Sequence, residues 1–256
     1  MCYYVSQKLG GYINLGEIGA TAVRDELLNR PMVSGFESEP LAVIISNDES
    51  GAPEITPMHW GNWAEGITTL NATCEHLFIN KQDKIAMWAD PVRNNRCLVP
   101  VDGYYEYRHV YKLNRKTGKR MSTPEEHPYF ITSKSGKPFL MAGFYKVDKA
   151  GGTNKVAICT TVANELSGQV HNSAMRMPTI LASDAARAWL YDKLTDQQIS
   201  QIAKTQYDSN DMEAWTVDPG FRKSETPQEP VIIRGLPPLG ENQNPDSADG
   251  QTLSLF

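Results

Sequence analysis

The chain has 256 residues, of which 40% are hydrophobic and 21% charged, and its formal net charge is −5. This length suffices for one large domain with a sizeable core, and the composition is typical of globular proteins. No apolar run approaches the length of a membrane span, and the start MCYYVSQKLGG lacks the regions that define a signal peptide. We therefore expect a cytoplasmic protein that does not bind membranes.

The acidic charge is concentrated near the C-terminus. Residues 224–256 hold five acids and one base, a net of −4, which leaves −1 for residues 1–223. The overall charge argues against attraction of the whole molecule to nucleic acid, although the nearly neutral body can carry a basic face. The four cysteines, at positions 2, 74, 97 and 159, have neither CxxC nor zinc-type spacing. We predict no metal, no cofactor and a monomer.

Sequence patterns predict many short strands with scattered helices. Helical spacing followed by Pro31 predicts a helix over residues 17–30, and residues 79–89 resemble a second helix. Asp102-Gly103 lies between two β-type runs, 97–101 and 104–111, and predicts a hairpin. Further strands are predicted at residues 41–46, 55–60, 129–132, 139–147, 155–161 and 213–217.

Two more helices are predicted after residue 182. Ser183 is a candidate cap for one that ends near Lys193, and Thr195 with Gln198 forms a capping-box pattern for the next. Strands that outnumber helices in this way favour an α+β fold with a mostly antiparallel, barrel-like sheet at its centre.

The end of the chain differs in composition from the body. Residues 224–250 are rich in proline, glycine and acids, and predict a flexible linker. The last six residues, QTLSLF, are again apolar, which a disordered tail has no reason to preserve. We therefore divide the chain into a domain over residues 1–223, a linker over 224–250 and a short peptide over 251–256.

Met1-Cys2 is the most reactive stretch of the sequence once Met1 is removed. A cytosolic methionine aminopeptidase accepts cysteine as the second residue, and cleavage would leave an α-amine and a thiol on adjacent atoms. Such a 1,2-aminothiol condenses with an aldehyde to a Schiff base, which the thiol closes into a thiazolidine. Roughly a tenth of an α-amine is neutral at pH 7, a few hundred-fold more than of a lysine. Cysteine also packs commonly as a small hydrophobe, so this interpretation needs support from the rest of the chain.

Three other residues are chemically suited to assist an aminothiol. Asn71 follows the Trp60-Gly61-Asn62-Trp63 cluster in a turn-prone segment. Glu106 lies in the aromatic run RCLVPVDGYYEY, where it faces either solvent or a pocket that raises its pKa for proton transfer. His171 precedes an Arg-Met-Pro motif and is either structural or catalytic.

The runs RCLVPVDGYYEY, MAGFY and His171 followed by RMPTIL, in this order, resemble the SRAP family of SOS-response-associated peptidases, or abasic-site processing proteins. The resemblance extends from Cys2 to about Val217 and implies a single SRAP-like domain. It implies that Cys2, after removal of Met1, captures the aldehyde of an abasic site in single-stranded DNA as a thiazolidine crosslink. It also implies AP-lyase and self-processing peptidase activities in the response to DNA damage.

The resemblance also implies roles for individual residues. Cys2 would be the nucleophile, and Asn71 would position the N-terminus or the sugar. Glu106 would activate the amine and shuttle protons, while His171 would act as a general acid on the deoxyribose.

Departures from the family pattern fall on the DNA-binding side. The common Met-Cys-Gly-Arg is here Met1-Cys2-Tyr3-Tyr4, and a second arginine, two residues after Asn71, is replaced by Thr73. Each lost phosphate contact should weaken binding and its salt dependence. Other arginines or the basic run 108–120 would compensate, and aromatic rings would stack on unpaired bases. The candidate DNA contacts are Arg93, Arg96, Arg176, Trp60, Tyr3 and Tyr4.

The terminal QTLSLF resembles the peptide with which bacterial proteins bind the replication sliding clamp. Gln251, Leu253, Leu255 and Phe256 would fill the groove of the clamp, and the preceding linker would act as a tether. Such tethering at replication forks would offset weak phosphate contacts and place the protein at the nucleoid.

Two alternatives from other functional classes remain open at this point. In the first, the chain is a hydrolase in which the Cys2 thiol attacks an amide and its own α-amine is the base. In the second, it is a clamp-tethered module that binds single-stranded DNA without chemistry. An adduct with abasic DNA, turnover of an amide, or binding alone would distinguish the three.

Overall fold

The computed structural model describes residues 2–9, 29–46, 52–61, 63, 69–148 and 152–241. Its strands are β1 Tyr4–Lys8, β2 Asn29–Ser34, β3 Pro40–Ser46, β4 Pro53–Trp60, β5 Asn71–Thr73, β6 Arg96–Val101, β7 Gly103–Val110, β8 Glu125–Ser133, β9 Phe139–Lys146, β10 Lys155–Val162, β11 Arg176–Pro178, β12 Ile180–Leu181 and β13 Met212–Thr216. Its helices are α1 Ala89–Asn94, α2 Glu165–Val170, α3 Ser183–Tyr191 and α4 Asp196–Ala203.

The strands form two sheets rather than one closed barrel. The first sheet has the order β13-β8-β7-β1-β2, and its pairs are antiparallel. The second has the order β11-β10-β4-β3-β6-β9-β12, with β5 beside β10. Within it, only the pairings of β10 with β4 and with β5 are parallel among the described strands. β9 also pairs with β10, which joins the two ends of the path β10-β4-β3-β6-β9. The predicted α+β fold with a mostly antiparallel, barrel-like core is confirmed, although the two sheets do not close into one true barrel.

The N-terminal strand β1 is bonded into both sheets. It lies between β2 and β7 in the first sheet. The buried Gln7 side chain donates to the carbonyl oxygens of Ala42 and Pro100 and accepts from the Ala42 amide, so it acts like one more strand residue for the second sheet. Buried amide groups require such partners. These bonds hold β1, and with it the chain that leads into β1, in a fixed place between the two sheets.

Helices α3 and α4 cover the outer face of the second sheet. Trp189 of α3 is fully buried, and its indole nitrogen donates to the carbonyl oxygens of Cys97 and Gly143 on adjacent strands. The predicted capping box at Thr195 and Gln198 is confirmed as the start of α4. No helix within the described ranges is long and apolar enough to span a membrane.

Two of the predicted elements are wrong. Residues 79–85 form a tight turn and α1 begins only at Ala89. The Asn80 side chain accepts from the amides of Gln82 and Lys84, and Asp83 adopts a positive φ of 56°, which excludes a helix there. The hairpin at Asp102-Gly103 does not form, since β6 and β7 belong to different sheets. Neither Asp102 nor Gly103 has the positive φ that a two-residue type I′ turn requires.

The predicted helix over residues 17–30 lies mostly outside the described residues. Its last two positions, Asn29 and Arg30, belong instead to β2, which pairs with β1. The other predicted strands and the helix after Ala182 are present with ends that differ by a few residues.

The predicted flexible linker is wrong for its first two thirds, because residues 224–241 pack against the body. The Gln228 side chain donates to Ser6 Oγ at 2.7 Å and also to a carboxylate oxygen of Asp102. The Val231 amide donates to the carbonyl oxygen of Thr216 at 2.8 Å. Hydrogen bonds of this kind give a proline-rich segment a fixed path without secondary structure.

Arg108 provides a second anchor for the same segment. Its guanidinium donates to the carbonyl oxygens of Pro237 and Pro238, at 2.6 and 3.2 Å. Arg108, the first residue of the basic run 108–120, is therefore buried, whereas residues 112–120 of that run are exposed.

Candidate functional site

Cys2 and Asn71 meet where the first strand enters the fold. Cys2 is fully buried two residues before the start of β1, and its thiol donates to the carbonyl oxygen of Tyr4 at 3.7 Å. Asn71 begins β5, which is held by its parallel pairing with β10, and its Nδ2 donates to the carbonyl oxygen of Cys2 at 2.7 Å. The amide of Asn71 thus fixes the main chain at the residue that would become the N-terminus.

Glu106 is brought to Cys2 by the pairing of β1 with β7. Tyr4 pairs with Tyr105, and Val5 pairs with Tyr104. The chain that leads into β1 therefore runs beside Glu106, the residue after Tyr105. Alternation along β7 places Glu106 on the inward face. Burial raises the pKa of the Glu106 carboxyl from its usual value near 4.5 to about 8.

The Cys2 thiol has a strongly raised pKa. Burial is the main cause, and the negative charge of Glu106 adds to it. The thiol is therefore protonated at neutral pH, in contrast to nucleophilic cysteines whose pKa is lowered by nearby positive charge.

His171 lies at the C-terminal cap of α2 and completes the group. Its Nδ1 donates to the carbonyl oxygen of Arg176 at 2.8 Å and lies 3.7 Å from Glu106 Oε1. Because a carbonyl oxygen can only accept, Nδ1 carries the proton and Nε2 keeps its lone pair. Burial lowers the pKa of His171 to about 4, so at pH 7 the contact with Glu106 is not an ion pair.

The loop that carries His171 is fixed by Asn172. The Asn172 side chain donates to the carbonyl oxygen of His109 at 2.8 Å and accepts from the His109 amide at 2.9 Å. Met175 adopts a positive φ of 52°, and its amide donates to the carbonyl oxygen of His171 at 2.9 Å. The four residues between His171 and Arg176 thus form a tight loop that docks on β7.

The three arginines expected to contact DNA are engaged within the protein. Arg93 makes a two-pronged ion pair with Asp196, at 2.8 and 2.6 Å. Arg96 donates to four main-chain carbonyl oxygens at the ends of α1 and α3. Arg176 binds Glu75 at 2.7 Å and the carbonyl oxygen of Thr160. These contacts connect secondary structure elements to one another.

The aromatic candidates divide into core and surface residues. Trp60 is fully buried, and its indole donates to the carbonyl oxygen of Leu70, so no base can stack on it. Tyr4 is also buried, whereas Tyr3 is partly exposed and contacts the ring of Phe36. The clamp-binding candidates Gln251, Leu253, Leu255 and Phe256 lie outside the described residues.

Sequence reasoning missed two residues that the structure places beside the site. Asn172 directly follows His171. An amide side chain at that position in a loop is a signal that could have indicated a bond between the loop and a neighbouring strand. Arg222 donates to the Tyr4 hydroxyl at 3.3 Å. Nothing local in the sequence indicates that contact, because 218 residues separate the two.

Comparison with protein families finds one match. The model described as "SOS response associated peptidase (SRAP)" matches residues 16–223. Among curated proteins, the abasic site processing protein YoqW of Bacillus subtilis is 30% identical over 197 residues, which cover 73% of this chain and 79% of YoqW. The abasic site processing protein YedK of Escherichia coli is 24% identical over 169 residues, covering 63% of this chain and 66% of YedK.

Solved structures show the same fold. A protein from Bacteroides thetaiotaomicron superposes with a TM-score of 0.69 at 24% identity, over 91% of this chain and 99% of that one. A phage-related protein from Bordetella bronchiseptica gives a TM-score of 0.64 at 20% identity, over 84% of this chain and 94% of that one. At this identity the likeness concerns the fold alone.

Proposed function

The chain belongs to the SOS response associated peptidase family, and we propose that it processes abasic sites in single-stranded DNA by a covalent bond through Cys2. The relatives are named for abasic site processing. The observation that carries the proposal is the convergence of Cys2, Asn71, Glu106 and His171, four polar residues from distant parts of the chain that are all buried.

The chemistry begins with opening of the sugar. The neutral His171 takes the C1′ hydroxyl proton at Nε2 and returns it to O4′ as the C1′–O4′ bond breaks, which leaves an aldehyde. His171 is therefore a base before it is the general acid that the family resemblance implies. The hydrogen bond from Nδ1 to Arg176 holds the ring in the tautomer that this step needs.

The amine of Cys2 then attacks the aldehyde. The nitrogen forms a bond to C1′, and loss of water gives a Schiff base. Glu106, with its pKa about 8, exists in both protonation states near neutral pH. It accepts the amine proton and delivers it to the departing oxygen, because a proton carrier works best when its pKa is close to the ambient pH.

Ring closure produces the stable product. The thiol sulfur bonds to C1′, the C=N π electrons pass to nitrogen, and the thiol proton moves to that nitrogen. The Schiff base also acidifies the C2′ protons, so loss of one proton and of the 3′ phosphate gives lyase activity in competition with closure. The raised pKa of the Cys2 thiol supports attack by the amine first, and disfavours the alternative hydrolase in which a thiolate attacks an amide.

A denaturing gel tests the proposal directly. Protein processed at Met1 and mixed with an abasic single-stranded oligonucleotide should give a heat-stable adduct of one protein and one DNA, less one water, by mass spectrometry. Cys2→Ala should abolish the heat-stable adduct, while Cys74→Ala, at another buried free cysteine, should retain it. An adduct that survives in Cys2→Ala would falsify the assignment.

We further propose that QTLSLF binds the sliding clamp and brings the protein to replication forks. Since the body extends to Glu241, nine residues separate it from Gln251, and they span at most about 30 Å. The body would then be held close to the clamp rather than on a long tether. Deletion of residues 251–256 should abolish clamp capture in a pull-down while leaving crosslinking intact, and capture that persists would refute the idea.

A further inference from the structure

A surface groove begins at Tyr4, two residues after Cys2. It encloses about 710 Å³ and is bounded on one side by β2 and the turn that follows it, and on the other by the turn Phe221–Lys223. One acid, Glu37, also lines it. The other side chains that define the groove are Tyr4, Met32, Ser34, Phe36, Arg222 and Lys223.

The first wall of the groove is aromatic. Phe36, on the short turn between β2 and β3, is 57% exposed. Its ring lies 4.9 Å from that of Tyr3 and 5.9 Å from that of Tyr4. The Gly35 amide donates to the carbonyl oxygen of Tyr3 at 2.9 Å, which holds the turn against the N-terminus. An exposed, supported ring of this kind is a platform on which an unpaired base stacks.

The second wall is basic. Arg222 and Lys223 are both exposed. Within the described part of the chain, Arg222 has no carboxylate within 4.0 Å, and its recorded contact is the Tyr4 hydroxyl. Its guanidinium carbon lies 5.9 Å from the centre of the Tyr4 ring. Arg93, Arg96 and Arg176, by contrast, are occupied by carboxylates and carbonyls. Arg222 thus keeps donors available for a phosphate, which arginine binds in a two-pronged manner.

Both walls are anchored to the strands that form the reacting centre. Phe221 is buried and stacks on Tyr105 at 4.5 Å, which fixes the turn that carries Arg222. Tyr3, which the turn of Phe36 contacts, directly follows Cys2 in sequence, and Tyr105, on which Phe221 stacks, directly precedes Glu106. Both walls of the groove are thus fixed to residues that adjoin the site in sequence.

We propose that this groove binds the nucleotide that adjoins the abasic site in single-stranded DNA. Its base stacks on Phe36 and Tyr3, and its phosphate is bound by Arg222 and Lys223. The inference rests on the proposed function for its substrate class. It adds the location and the residues that hold DNA in a chain whose other candidate arginines are engaged elsewhere.

Binding without chemistry tests the groove separately from the crosslink. Fluorescence anisotropy would use a single-stranded oligonucleotide with a tetrahydrofuran abasic analogue, which has no aldehyde. Arg222→Glu should weaken binding about tenfold or more and flatten the plot of log K against log salt by about 0.7 per lost phosphate contact. Phe36→Ala should weaken binding about 5- to 100-fold through lost stacking.

Two further variants serve as controls. Arg187→Glu changes an exposed arginine that lies 5.9 Å over Tyr191 on α3, the same type of contact in a different place, and should leave affinity within twofold of wild type. Arg222→Lys should restore most of the salt dependence that Arg222→Glu removes. Thermal melting confirms that each variant is folded.

The outcomes separate the two proposals. Wild-type affinity in Arg222→Glu and Phe36→Ala overturns the groove assignment even if true abasic DNA is still crosslinked. Absence of binding by the wild-type protein overturns it as well. Binding that depends on Arg222, together with no covalent adduct on true abasic DNA, upholds the groove and overturns the proposed chemistry.

Discussion

The buried centre and the surface around it follow different rules. Cys2, Asn71, Glu106 and His171 come together as their motifs indicate, because each is fixed by strand pairing or by a cap. The arginines expected on the surface are instead used to join α1, α3 and β11 to their neighbours. Reacting groups depend on positions within a fraction of an ångström, whereas a phosphate contact can be supplied from any element that reaches it. Arg222, as the proposed phosphate contact of the groove, would be an example of this freedom.

The largest effect is expected at Glu106. Glu106→Gln should slow adduct formation about 10²- to 10⁴-fold, because the proton carrier is lost while the hydrogen-bonding shape is kept. Binding to the tetrahydrofuran analogue should not change. Glu126→Gln, on the exposed end of the neighbouring strand β8, is the matched control. If Glu106→Gln lowered the rate of adduct formation and the affinity for the analogue by the same factor, the buried centre and the DNA-binding surface would not act independently.

The same variant tests the pKa of Glu106. With its folded pKa raised to about 8, the carboxyl binds a proton more tightly in the folded state, so ionisation destabilises the fold as pH rises from about 4.5 to 8. Glu106→Gln should therefore gain stability relative to wild type over this range and level off above pH 8. A pH series of thermal melts measures it, and a difference independent of pH would contradict the buried environment.

A smaller effect is expected at Asn172, which positions the loop of His171. Asn172→Ala removes both bonds to the edge of β7 and should slow adduct formation about 10- to 100-fold through misplacement of the imidazole. DNA affinity should stay at the wild-type level. Asn114→Ala, which removes side-chain bonds to the amides of Lys116 and Thr117 in an exposed loop, should leave the rate unchanged. A normal rate in Asn172→Ala would remove the positioning role.

Arg96 tests whether an arginine that joins secondary structure elements also contributes to DNA binding. Arg96→Ala should lower the free energy of unfolding by about 2 kcal/mol, since several charge-assisted hydrogen bonds are lost. The salt dependence of DNA binding should be that of wild type. Chemical denaturation and anisotropy on the same sample test both statements, and a flattened salt dependence with full stability would return Arg96 to the DNA interface.

The smallest effect is expected at Gln228. Gln228→Ala should cost about 1 kcal/mol of stability through loss of its bonds to Ser6 and Asp102. Adduct formation should be unaffected, as the change lies on the outer face of β1. A crosslinking defect larger than the stability loss would instead connect the C-terminal segment to the site.

The sequence predicts the residues of the buried centre better than it predicts the segments that pack around them. The runs around Glu106 and His171 nominate both residues through their resemblance to the SRAP family, because each run is a local stretch of sequence. The packed path of residues 224–241 was not predictable from composition, since proline-rich segments lose little entropy on ordering and need only a few bonds, such as those of Gln228 and Arg108, to stay in place. The hairpin predicted at Asp102-Gly103 is absent for a related reason. A turn dipeptide predicts a change of chain direction, but it does not indicate which sheet each flanking strand joins.

The position of β1 between β2 and β7 has a consequence for how activity is controlled. A side-chain nucleophile can swing or be exchanged by mutation, but in the proposed mechanism the attacking nitrogen is part of the main chain that leads into β1. Under that proposal, a single covalent event, the removal of Met1, would make it reactive. The unprocessed chain would be a folded, DNA-competent precursor, and the cell's methionine aminopeptidase would act as its activating enzyme.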